Sequence, residues 1–204
     1  MSTNGGTAVF GGTFDPPHNG HLAFARTALS EFGFDRMLII PDNIPPHKEQ
    51  SGGASREDRL QMCRLMFTDP GMSVSETELK RQGKSYTYDT LCELERLYPQ
   101  EKLFLLVGTD MLLCFEKWYR FRDILKKAAI VAACRSSLSS QEQQLRKKAE
   151  ELKEAGAHVY ICTLEPFEVS STQIRKLISE FKSIGGYVPQ AVADYIKDGG
   201  LYCD

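Results

Sequence analysis

The stretch Gly11-Gly12-Thr13-Phe14-Asp15-Pro16-Pro17-His18-Asn19-Gly20-His21-Leu22 constrains this chain more than any other. A short apolar run, Thr7-Ala8-Val9-Phe10, leads into it and reads as a first strand. A helical pattern follows, with Leu22, Ala25, Leu29 and Phe32 on one face and Gly33 as the stop. A strand therefore runs into a glycine turn and then into a helix whose first turn carries histidines. Gly11 and Gly12 let the backbone approach a ligand, because no Cβ stands in the way. The helix start offers unpaired N–H groups and the positive end of a dipole, both suited to phosphate. His18 and His21 are spaced to project from one side of that turn.

The remainder alternates in the same manner. Met37-Leu38-Ile39-Ile40 reads as a strand buried on both faces, ending at Pro41. The loop Pro41 to Lys48, with Pro45-Pro46-His47-Lys48 at its end, then lies at a strand's carboxyl end, where open α/β sheets bind ligands; a solvated surface loop is the alternative. Ser55 caps a helix with Asp58 at the capping-box distance and Leu60, Cys63 and Phe67 as its apolar face. Met72-Ser73-Val74 is a weak strand, and Glu76 to Arg81 is expected to continue it. Gly83-Lys84-Ser85 imitates the end of a P-loop, but Glu78 stands where that motif needs glycine. A helix opens after Ser85 instead, with Leu91, Leu94 and Leu97 following.

Leu103 to Val107 is the central strand, broken by a glycine turn at Gly108-Thr109-Asp110. A short helix ends near Leu125, a strand spans Ala128 to Cys134, and a charged helix spans Ser139 to Gly156. A sixth strand is expected over Ala157 to Cys162 and a last helix over Pro189 to Lys197. The expected architecture is α/β: a single-domain, doubly wound, Rossmann-like parallel sheet with helices on both faces. A flexible terminus is expected over residues 1–6 and one domain over 7–204, closed by helices at about 170–204.

Composition removes several function classes. A net charge of −2 gives no sign of a nucleic-acid partner, and no apolar run is long enough for a membrane span. Met1 to Gly6 lacks the layout of a secretion signal, so a cytoplasmic protein is expected. The six cysteines show no C-x-x-C spacing and read as buried hydrophobes rather than a disulfide or zinc framework. No nucleophile elbow or H-E-x-x-H helix is present, and His18 and His21 lack an obvious third metal ligand. Ser170-Ser171-Thr172-Gln173-Ile174-Arg175 supports two readings: a capping box from Ser170 to Gln173, or an anion site of hydroxyls and a guanidinium. Trp118, the single tryptophan, suits either a core position or stacking beside a site. These parts bind phosphate, and a nucleotidyl transfer needs little more than aligned phosphates and neutralised charge.

Gly12-x-Phe14-x-Pro16-x-His18-x-x-His21 resembles the nucleotidyltransferase signature with two histidines. The fuller string, with Ser85-Tyr86-Thr87 and Trp118-Tyr119, resembles the bacterial nicotinate-nucleotide adenylyltransferases. That resemblance implies transfer of AMP from ATP to nicotinate mononucleotide, with magnesium carried by ATP and no metal site of the protein's own. It implies His18 and His21 as catalytic donors. It implies Gly11, Gly12, Thr13, Phe14, Lys48, Arg135, Ser170, Ser171, Thr172 and Arg175 around ATP. The pyridine nucleotide would fall to Asn43, Thr87, Gly108, Asp110, Trp118 and Tyr119. Rivals are an enzyme like pantetheine-phosphate adenylyltransferase and a non-catalytic ATP-binding sensor. Oligomeric state is not legible in the sequence.

Overall fold

A computed structural model describes residues 5–44, 53–135, 139–165 and 169–203. Six parallel strands form one sheet: β1 (Thr7–Gly12), β2 (Arg36–Pro41), β3 (Met72–Val74), β4 (Leu103–Val107), β5 (Ala128–Arg135) and β6 (Val159–Leu164), in the order β3-β2-β1-β4-β5-β6. Parallel neighbours need crossovers, and helices supply them. The helices are α1 (Asn19–Phe32), α2 (Arg56–Met66), α3 (Thr87–Leu97), α4 (Thr109–Leu113), α5 (Phe121–Lys127), α6 (Ser139–Glu154), α7 (Ser171–Ser179) and α8 (Gln190–Asp198). The chain reverses direction across the sheet between β1 and β4, so a crevice opens at the carboxyl ends of those two strands.

The sheet is apolar on both faces because alternate residues serve different cores. Ala8 and Phe10 join Phe24, Ala28, Met62 and Val192 on one face, under α1, α2 and α8. Val9 joins Leu38, Leu91, Leu105, Ile124 and Leu145 on the other, under α3, α5 and α6. Gly33 ends α1 in the left-handed conformation, and its N–H donates to Leu29 O. Ser55 caps α2 by accepting from the Asp58 N–H, as its spacing predicts.

Several expectations need correction. Glu76 to Arg81 does not extend β3; it folds into turns, closed by Lys80 N to Glu76 O and Arg81 N to Glu78 O. The sixth strand starts at Val159 and reaches Leu164, beyond Cys162. No turn separates Gly108 from a helix, since Gly108 itself caps α4. Cys63, Cys134 and Cys162 are buried, whereas Cys92 and Cys114 are half-buried and Cys203 is exposed. Leu60 is only half-buried, and Arg59 is as fully buried as Met62 and Cys63 on α2. Among the described residues no helix is long and apolar enough to cross a membrane.

Candidate active site

A cleft of about 1170 Å³ occupies the crevice at the β1/β4 switch point. Its volume lies above the usual range for one drug-sized ligand. Gly11, Gly12, Thr13, His18 and His21 line it from the β1–α1 turn, and Gly108 and Asp110 from the end of β4. Ser85, Tyr86 and Thr87 enter from the start of α3, with Trp118 and Tyr119 beside them. Ser170, Ser171, Thr172 and Arg175 enter from the start of α7.

The β1–α1 turn is built around Phe14. Its backbone takes φ 49°, and its ring, 2% exposed, lies edge-on to Phe10, Phe67 and His21. A Cβ on Gly12 would stand 3.1 Å from that ring, so Gly12 is needed by the packing under the turn. Phe14 thus shapes the turn from below and does not line the cleft, while Gly11 is open to it. His18 sits at the helix cap with its ring stacked 3.7 Å from that of His21. The His18 N–H donates to His21 Nδ1 at 3.2 Å. With Nδ1 accepting, the neutral His21 ring carries its proton on Nε2, which makes Nε2 a hydrogen-bond donor.

Sequence reasoning missed the support beneath this turn. Arg59 is 0% exposed and joins the ends of β1 and β2. Its Nη1 donates to Thr13 O at 2.7 Å and to Asp42 Oδ1 at 2.9 Å. Its Nη2 donates to Asp42 O at 2.8 Å and Asn43 O at 3.2 Å. The Thr13 hydroxyl completes the unit by donating to Asp42 Oδ2 at 2.9 Å. A signal was present: Arg59 begins the stripe Arg59, Met62, Cys63, Met66 at helical spacing, and a charge on an apolar stripe needs a buried partner.

At α7 the capping reading of the hydroxyl run is observed, and the run also lines the cleft. Ser170 Oγ accepts from the Gln173 N–H at 3.1 Å, which is the cap. Ser171 Oγ donates to Pro16 O at 2.9 Å and docks α7 on the glycine turn. Gly20 allows the start of α1 to close on Val169, since a Cβ there would lie 3.2 Å from Val169 Cγ1. Arg175 Nη1 donates to Asp15 O at 2.6 Å, while Nη2 lies 3.4 Å from Thr172 Oγ1. Two helix starts and a guanidinium therefore converge on one end of the cleft. Arg135 closes β5, but its side chain lies outside the described part, as do Pro45, Pro46, His47 and Lys48.

The opposite end is aromatic. Trp118 packs on Phe115 with centroids 5.0 Å apart, and its Nε1 has no hydrogen-bond partner among the described residues. Tyr119, 52% exposed, leans on Tyr86 at 4.8 Å. Asn43 is buried behind this wall rather than in it; its N–H donates to Ser85 Oγ and its Nδ2 to Arg81 O. Glu78 lines the cleft beside Ser85 and accepts from Thr90 Oγ1 at 2.6 Å. Burial raises its carboxyl above the ordinary range, against the lowering by the Thr90 and Ser85 hydroxyls and by Arg81. Among the described residues no group of three or more His, Cys, Asp or Glu side chains is placed to hold a metal ion.

A crossed-over α/β sheet with a two-histidine helix start at its switch point defines the class, and residues 9–177 match the cytidylyltransferase-like family model. The chain is a nucleotidyltransferase of that family. It is 33% identical over 201 residues to nicotinate-nucleotide adenylyltransferase of Bacillus subtilis (strain 168), covering 95% of this chain and 96% of that protein. It is 37% identical over 200 residues to the probable nicotinate-nucleotide adenylyltransferase of Carboxydothermus hydrogenoformans, with 95% and 96% covered. Within the class, the chain belongs to the nicotinate-nucleotide adenylyltransferase family. The fold matches that of Plasmodium falciparum nicotinic acid mononucleotide adenylyltransferase complexed with NaAD, at a TM-score of 0.75 and 18% identity over 96% of both chains.

Proposed function

We propose that this chain transfers AMP from ATP to the 5′-phosphate of nicotinate mononucleotide, within NAD biosynthesis in the cytoplasm. A phosphate oxygen of the mononucleotide attacks the α-phosphorus of ATP in line. The bond from that phosphorus to the bridging oxygen breaks, pyrophosphate leaves, and nicotinate adenine dinucleotide remains. Magnesium arrives with ATP and shares the charge of its phosphates. The catalytic domain is the segment 7–204, which α7 and α8 close.

The observation that supports this is one cleft with two helix starts and the Arg175 guanidinium at one end and aromatic rings at the other. His21 Nε2–H donates to the phosphoryl group in transfer, where charge grows, and His18 holds it in that tautomer. Thr172 and Arg175 take the ATP phosphates from the α7 start, with Lys48 and Arg135 as further cations. Trp118 and Tyr119 hold the pyridine ring, and Thr87 with the α3 N-terminus faces its substituent. The positive end of a helix favours a carboxylate over a carboxamide there, and so favours the nicotinate form.

The test is pyrophosphate release from magnesium-ATP with nicotinate mononucleotide, nicotinamide mononucleotide or pantetheine phosphate as acceptor. The highest kcat/KM is expected with nicotinate mononucleotide. A higher value with pantetheine phosphate would move the chain to that class, and ATP binding without release would make it a sensor.

A further inference from the structure

Far from the glycine motif in sequence, the C-terminal turn after α8 reaches the same site. The Tyr202 hydroxyl donates to Asp15 Oδ1 at 2.7 Å, and the Ala54 N–H donates to that same oxygen at 3.0 Å. Asp15 Oδ2 lies 3.9 Å from Arg175 Nη1, which in turn donates to Asp15 O. A Cβ on Gly53 would come within 2.4 Å of Asp15 Oδ2, so the chain before α2 closes tightly on this carboxylate. Four segments thus meet at one side chain.

Tyr202 adopts φ 64°, in the left-handed region that residues with a Cβ seldom occupy. The turn is set by the end of α8, where the Leu201 N–H donates to Ile196 O and Gly200 takes φ 58°. Tyr195, earlier on α8, ties the helix to the start of α2 through Asp58 Oδ1 at 2.8 Å. Burial and the Asp15 carboxylate push the Tyr202 phenol well above its usual range, so it stays a donor at every working pH.

We infer that Tyr202 is a positioning residue for Arg175, acting through the Asp15 carboxylate. Two donors on Oδ1 fix the plane of that carboxylate, whose Oδ2 forms a longer ion pair with Arg175 Nη1 at 3.9 Å. Nη1 is committed to the Asp15 main-chain oxygen and faces this fixed charge, and Nη2, which donates to Thr172 Oγ1 at 3.4 Å, is held ready for phosphate oxygens. A guanidinium held in place loses less freedom when it takes a phosphate. The inference rests on the proposal that Arg175 contacts ATP.

The experiment is a double-mutant cycle of Tyr202→Phe and Arg175→Ala, read as KM for ATP, KM for the mononucleotide, kcat and Tm. Tyr202→Phe is expected to raise the ATP KM by about three- to tenfold, the net scale of one ordinary hydrogen bond, because the phenol acts on Arg175 only through Asp15. KM for the mononucleotide and kcat should stay within about twofold. In the Arg175→Ala background the same change should leave the ATP KM where it is. Equal factors in both backgrounds, or a lower Tm with no rise in ATP KM, would overturn the inference while leaving Arg175 in its role. An Arg175→Ala variant with normal ATP KM would instead remove Arg175 from the phosphate site. Asp15→Asn serves as a second variant if Tyr202→Phe does not fold. It keeps an acceptor for Tyr202 but can turn an NH₂ toward the guanidinium, and it should show the same dependence on Arg175.

Discussion

Replacing Arg59 by methionine isolates the buried charge beneath the glycine turn. The side chains of the pair are 1% and 12% exposed, so solvent screens neither. Arg59→Met keeps much of the volume and removes the donors from Asp42 Oδ1 and from the carbonyls of Thr13, Asp42 and Asn43. The Asp42 carboxylate then stays buried without its cation. Removing one partner of such a pair costs about 3–5 kcal/mol. For a chain of this length that corresponds to a Tm lower by about 6–20 °C. Adding Asp42→Asn removes the orphaned charge and is expected to restore more than about 1 kcal/mol of the loss. Urea unfolding followed by Trp118 fluorescence and by far-UV circular dichroism measures both, and coincident transitions validate the free energies. A loss below about 1 kcal/mol for Arg59→Met, or a double variant less stable than the single one, would refute this account of the pair.

His21→Ala is expected to lower kcat by about 10²–10³, the loss typical of one transition-state donor, with little change in ATP KM; a near-normal kcat in steady-state assays would take His21 out of the mechanism. Trp118→Ala should raise KM for both mononucleotides by about five- to hundredfold, the scale of ring stacking on an aromatic side chain, and leave the ATP KM unchanged. Glu78 gives a pH dependence. Its folded carboxyl titrates above the ordinary value of 4.5, so the unfolded chain ionises first and folding stability falls as pH rises from there. Glu78→Gln should therefore gain stability relative to the parent as pH rises above the ordinary value of 4.5, and a difference in urea midpoints that is flat with pH would contradict the raised titration.

The local parts of this protein were legible in its sequence. Apolar runs such as Met37–Ile40 and Leu103–Val107 are strands because a sheet covered on both faces needs unbroken hydrophobes. The step from strand through Gly11 and Gly12 into a helix with His18 and His21 at its start is written within adjacent residues. The cap at Ser55 and the stop at Gly33 are likewise set by spacing alone.

What tertiary structure decided lies in pairs that spacing does not connect. Asp42 at the end of β2 meets Arg59 of α2 only because a parallel crossover returns the helix over the strand ends. Glu76 to Arg81 carries no strong pattern, and its turns follow from the Glu78 and Arg81 contacts with Thr90. Asp15 and Tyr202 stand at opposite ends of the chain and meet because α8 packs back on α2 and delivers its last turn to the mouth of the cleft. Periodicity records which face of an element is apolar. Which polar group waits across the gap depends on the sheet order β3-β2-β1-β4-β5-β6, and that order is fixed only when all the faces are buried together.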